Sequence, residues 1–171
     1  SFTKNLIDHQ NIETILKNSI ESNGRISDAA SSKLSILRKE LLSKKLERKI
    51  IVDKFIQKNL AYLQDTTIGD RYGRPVLAVK VHYVDKFKGL IHDSSSSGNT
   101  VYFEPDSAVN KGNKIASLEA KISAEEFKLL HKWSQVISDN SANLNAMVSI
   151  LLRLENALTR SRYSKWIGGK T

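Results

Sequence analysis

His92, Asp93 and the serines from Ser94 to Ser97 put an imidazole, a carboxylate and several hydroxyls side by side, the ingredients of an activated serine nucleophile. Their spacing argues against that chemistry. Adjacent strand residues point to opposite faces, so His92 and Asp93 cannot both address one serine, and no set of oxyanion donors accompanies them. The four histidines, His9, His82, His92 and His131, show neither HxxxH nor HxH spacing, so no metal site is expected. Gly168-Gly169-Lys170-Thr171 imitates the end of a phosphate-binding GxxxxGKS/T loop. The first glycine of such a loop would fall at Ser164, and the segment follows a helix instead of a strand. Glu125-Glu126 reads as solvated helix surface. No catalytic residue and no cofactor is expected in this chain, and binding is what remains.

The formal net charge of +9 and a pI near 9.7 point to a polyanionic partner, nucleic acid first. Placement says more than the total. Between Lys33 and Lys88 there are 14 Lys/Arg against 6 Asp/Glu, and the rest of the chain is nearly balanced. Arg71, Arg74, Lys80, Lys86 and Lys88 are interleaved with Tyr72, Tyr83 and Phe87, and Lys45, Arg48 and Lys49 precede them. Contacts from such cations to phosphates give sequence-independent affinity by releasing counterions. A solvated helix face explains a charge run equally well; the strand-rich neighbourhood favours nucleic acid. The rings are expected to fill a small core before they stack on bases. Ser95 and Ser97 either donate to phosphates or form a flexible turn.

The elements that must hold these residues follow from periodicity. Leu90 to Asp93 and Thr100 to Glu104 are short strand-like runs around a turn-competent serine, glycine and asparagine stretch, which predicts a β-hairpin. Val76 to Tyr83 predicts a third strand, enough for a small antiparallel sheet. Before the sheet, Leu6, Ile7, Ile12, Ile15, Leu16 and Ile20 predict a helix over 4–20 that stops at Ser22-Asn23-Gly24. Ser27 or Asp28 then caps a long helix. Its stripe runs through Leu34, Leu37, Leu41, Leu42, Leu46, Ile50, Val52, Ile56, Leu60 and Leu63, with neither Gly nor Pro from Asp28 to Gln64. After the sheet, Pro105-Asp106-Ser107 starts a helix marked by Ile115, Leu118, Ile122, Leu129, Leu130, Trp133, Val136 and Ile137, with Gly112 weakening its first turns. Asp139-Asn140-Ser141 interrupts, and Leu144, Met147, Val148, Leu151, Leu154 and Leu158 mark a last helix, expected to pack on the first.

The expected fold is therefore mainly α with a small antiparallel sheet, an α+β arrangement in which two long antiparallel helices form an arm with a β-rich tip. Residues 1–25 with 140–171 form a helical base, 26–64 with 107–139 the two-helix arm, and 65–106 the β tip. Both prolines, Pro75 and Pro105, fall in or beside the tip. No stretch approaches the roughly 18–20 apolar residues of a membrane span, so no membrane partner is expected. The absence of cysteine rules out disulfides and fits a reducing cytoplasm. The chain starts in mid-element, without a signal-peptide pattern, as a fragment would.

Gly89-Leu90-Ile91-His92-Asp93, then Ser95, Ser97-Gly98, Thr100, Phe103 and Glu104-Pro105, resemble the G-x-V-H-D-x-S-x-S-G-x-T-x-F-x-E-P signature of the second MutS-type family of bacteria, MutS-two. Gly73-Arg74 followed by Val79-Lys80 is similar to that family's G-R-x-x-x-P-V-K strand, Ile26 to Ser31 to its I-x-D-x-A-S helix entry, and Arg160 to Tyr163 to its A-R-Y. Ala78 stands where the family has Pro, Pro75 where an aromatic is common, and Lys111-Gly112 replaces an E-L or L-N pair. The resemblance implies helical levers that end in β-rich clamps closing on double-stranded or branched DNA. It implies a structural role for Gly89, His92, Asp93, Gly98, Thr100, Glu104 and Pro105. It also implies a cytoplasmic, bacterial, dimeric parent ATPase using ATP and Mg, with an Smr endonuclease domain in many members. Such proteins are linked to DNA repair, suppression of recombination and rescue of collided ribosomes. A ribosome- or rRNA-binding clamp and a dimerising protein-interaction arm are the alternative readings.

Overall fold

The computed structural model describes residues 10–169. Leu6, Ile7, His9, Lys170 and Thr171, named above for their sequence patterns, lie outside the described residues. Among the described residues the fold is α+β, with four α-helices, α1 (Gln10–Ser19), α2 (Ser32–Asn59), α3 (Asp106–Asp139) and α4 (Ser141–Trp166), and four strands, β1 (Leu63–Arg71), β2 (Arg74–Lys80), β3 (Gly89–Ser94) and β4 (Thr100–Pro105). The chain divides into two compact units, Ser31–Glu125 and Ser1–Ala30 with Glu126–Thr171.

In the Ser31–Glu125 unit the sheet has order β1-β2-β4-β3, antiparallel throughout. It holds one strand more than expected. Gln64-Asp65-Thr66-Thr67 lacks apolar alternation because it is an exposed irregular stretch of the edge strand β1, which pairs with β2 at Leu63 and again from Ile68 to Arg71. Conversely, Val81 to Tyr83 does not extend β2: the chain turns into a 3₁₀ segment, Val81–Lys86, whose Tyr83 packs on Tyr62 with ring centroids 5.1 Å apart. Leu77, Val79, Val101 and Phe103 form the core with Leu63, Val52 of α2 and Ala108 of α3. Phe55 and Phe87 close it, their centroids 5.1 Å apart, edge to face.

Ser31, not Ser27 or Asp28, caps α2, its hydroxyl accepting from the Leu34 amide. The helix has 28 residues, about 42 Å at roughly 1.5 Å each, and ends five residues before Gln64 because Leu60–Tyr62 tighten to a 3₁₀ turn. Leu34 and Val52 are buried, but Leu42, Leu46, Ile50 and Leu60 are exposed. The expected seam was wrong there. Successive four-residue steps rotate about 40° beyond a full turn at 3.6 residues per turn, so 42-46-50 walks off the packed face. Lys33–Glu125 (2.8 Å), Lys45–Glu119 (2.8 Å), Lys114–Glu40 (3.7 Å) and Lys111–Glu47 tie α2 to α3 and show the two running antiparallel. Gly112 does not interrupt α3; it is buried in an unbroken helix.

In the other unit Ile20 and Ile26 form an isolated bridge around the turn at Gly24. Ile12, Ile15 and Leu16 of α1 line an apolar pocket with Trp133, Val136 and Ile137. The last helix, α4, contributes no fully buried residue: of the stripe named for it, Leu144 and Met147 are half-buried and Val148, Leu151, Leu154 and Leu158 are exposed.

Candidate nucleic-acid interface

Glu104 is the centre of the sheet's polar network. Strand alternation sets Arg74 on β2 and Glu104 on β4 to the same side, opposite Leu77 and Phe103. Glu104 is fully buried and accepts from Arg74 Nη1 at 3.3 Å, while His92 Nε2 lies 2.9 Å from the same oxygen. Arg74 reaches on to Asn113 Oδ1 of α3 at 2.6 Å. A Cβ on Gly112 would sit 3.1 Å from Arg74 Nη1 and 3.4 Å from Glu104 Oε1, so the absent side chain makes room for this cluster. At Gly89 a Cβ would come within 2.2 Å of the Glu104 carbonyl and 2.4 Å of the Phe103 ring. Only glycine admits that strand approach. Both glycines therefore serve packing around Glu104.

His92 and Asp93 do not share a serine. His92, two residues beyond the Leu90 that pairs with Glu104, faces Glu104 by strand alternation, whereas Asp93, set opposite Tyr102 by a register shift, accepts from the Ser94 amide at 2.8 Å and lies 3.9 Å from Arg71 Nε. The serine loop closes on itself. Ser95 Oγ accepts from the Thr100 amide (3.2 Å) and meets Ser97 Oγ (3.3 Å), and Gly98 donates to the Ser95 carbonyl (2.8 Å). The Ser97 side chain and the Gly98–Asn99 tip remain exposed.

The basic candidates separate into two groups. Arg74 is committed to Glu104 and Asn113, Lys80 donates to the Ala61 carbonyl (3.1 Å), and Arg48 donates to that of Gly73 (3.3 Å). Lys45 pairs with Glu119, and Arg71 lies 4.3 Å above the Tyr102 ring. Lys49, Lys86 and Lys88 are exposed, Lys86 with its ammonium 4.7 Å from the Tyr62 ring centroid. Hydrogen bonds from Lys111 and then Lys44 hold the Glu47 carboxyl below its ordinary 4.5, at about 2. The aromatic expectation holds for Phe87 and Tyr83 and fails for Tyr72, which is 96% exposed. Reading the sequence missed Asn113, Tyr102 and Tyr62 as partners of the cations; nothing local signals pairings that tertiary structure creates. Among the described residues no group of three His, Cys, Asp or Glu is placed to hold a metal ion, and no helix is long and apolar enough to cross a membrane.

No protein-family model matches the chain. Among curated proteins it is similar to Endonuclease MutS2 of Synechocystis sp., 32% identical over 157 residues, 92% of this chain and 19% of that protein. It is similar to Endonuclease MutS2 of Clostridium perfringens, 33% identical over 167 residues covering 96% of this chain and 21% of that protein. Endonuclease MutS2 of Clostridium kluyveri is 37% identical over 154 residues, 88% of this chain and 19% of its own length. The chain spans about a fifth of the length of these curated relatives.

Proposed function

We propose that the chain is the lever-and-clamp segment of a MutS2-family protein and holds double-stranded or branched DNA through backbone contacts. The observation that carries this reading is the similarity along 88–96% of the chain to proteins named Endonuclease MutS2. In this reading the four-stranded sheet is the clamp tip, α2 with the facing part of α3 is the arm, and the remaining helices are the base. The exposed Lys49, Lys86 and Lys88 give the positive surface that a phosphate backbone needs. Ser97 and the adjoining loop amides add neutral donors. No base-reading element is assigned, so affinity is expected to be indifferent to sequence. ATP hydrolysis, Mg binding, dimerisation and endonuclease action belong, on this proposal, to the rest of the parent protein.

The test is titration of labelled duplex and branched DNA with the whole protein across a salt series. Sequence-independent binding with a steep negative slope of log affinity against log salt is expected. A salt-independent affinity, or none, would reject the clamp reading. Competition by purified ribosomes in the same titration separates DNA from rRNA as the preferred polyanion.

A further inference from the structure

The tip between β1 and β2 is a two-residue turn, because Arg71 pairs with Arg74 and only Tyr72 and Gly73 lie between. Tyr72 has φ 55° and Gly73 φ 77°, the left-handed pair of a type I′ turn. That turn ordinarily selects Asn or Asp at the first position and Gly at the second. A tyrosine there gives up a favourable backbone choice, and Tyr72 is the only non-glycine residue with positive φ among those described. No packing compensates: the side chain is 96% exposed. The turn is nevertheless held firmly. Asp70 Oδ1 accepts from the Gly73 amide at 3.1 Å, and Arg48 of α2 donates to the Gly73 carbonyl at 3.3 Å. Arg71, Arg74 and Arg48 flank the turn, each held within the fold: Arg71 over the Tyr102 ring, Arg74 on Glu104 and Arg48 on the Gly73 carbonyl. The result is a solvent-facing aromatic ring carried on a well-held turn.

We infer that Tyr72 is a stacking contact for an unpaired base of bound nucleic acid, an inference that rests on the nucleic-acid reading above. A π-face suits any base, and strained backbone carrying an unburied ring is the arrangement a contact residue leaves behind. Lysines hold the backbone, and the ring takes the base that a gap or junction leaves unstacked.

The test compares the whole protein with Tyr72→Asn and Tyr72→Phe on a fully paired duplex and on the same duplex carrying a short single-stranded gap. Asn suits the left-handed turn, so the hairpin keeps its fold while the ring is removed. Tyr72→Asn should weaken binding to gapped DNA about tenfold, leave the paired duplex and the salt slope unchanged, and Tyr72→Phe should bind as the parent does. Equal gapped-DNA affinity for all three proteins overturns the inference, as does a Phe variant as weak as the Asn variant. Neutralising Lys49, Lys86 and Lys88 is the companion measurement. If that weakens both DNAs while Tyr72→Asn changes nothing, only the stacking role falls. If it too changes nothing, the nucleic-acid reading falls with it.

Discussion

Residues that a binding hypothesis groups by charge differ most in what holds them. Arg74 and Lys88 are both cations of the sheet region, yet Arg74 neutralises a fully buried carboxylate whereas Lys88 faces solvent. Arg74→Ala strands Glu104 with one partner, His92, and should destabilise by about 3 kcal/mol, the low end for a broken buried pair because Arg74 is partly exposed. Lys88→Ala should stay within about 0.5 kcal/mol. Denaturant midpoints of the two variants measure the contrast. Glu47 supplies a pH signature of its own. Its folded pKa is depressed, so what it adds to stability is complete above 4.5 and fades as pH falls from there toward about 2. Glu47→Gln should thus be less stable than the parent near neutrality, and the two midpoints should converge across that window. Gly89, His92 and Glu104 were legible as a motif, but their joint purpose was not. The network closes only when β2, β3, β4 and the start of α3 meet, and no local pattern encodes Asn113 as the far end of Arg74.

Helices and strands were legible in proportion to how one-sided their burial is. On α3 periodicity marked Ile115, Leu118, Ile122 and Trp133, which are buried, but also Leu130 and Ile137, which are exposed. Leucine and isoleucine on α2 occur on both faces, so the sequence stripe blurred two rows into one. The packed middle of α2 is polar: Lys44 and, from α3, Lys111 both donate to Glu47 while Leu46 looks outward. Leu46→Asp should therefore change stability by less than about 0.5 kcal/mol. Leu34→Ala, at a site with no exposure, should cost about 2–5 kcal/mol. Thermal unfolding of the pair decides which row is the seam. Strand β1 escaped detection for the complementary reason. An edge strand with solvent on its side chains needs backbone pairing and little hydrophobicity, so Ile68 to Arg71, paired with Leu77 to Arg74, carry no strand-like run.

At the scale of the whole molecule the positive excess must be reduced to the part that a ligand can reach. Most cations of the candidate set are engaged within the fold, and a charge already paired releases fewer counterions when a phosphate arrives. Lys45 is exposed but paired with Glu119, so the exposed Lys49, Lys86 and Lys88 set the expected electrostatic response. Replacing these three by glutamine should weaken duplex binding alike for unrelated sequences. It should also flatten the salt slope by up to about 0.9 for each phosphate no longer neutralised. Unfolding should be unchanged, since exposed charges contribute little to stability. Including Arg74 in the set would confuse weaker phosphate binding with a damaged fold, because Glu104 depends on it. Glutamine at Arg153 and Arg160 of α4 is the matched control and should leave binding nearly intact. A control that abolished binding while the lysine triple did nothing would move the interface to α4, and the sheet would then be better read as an arm for protein contact.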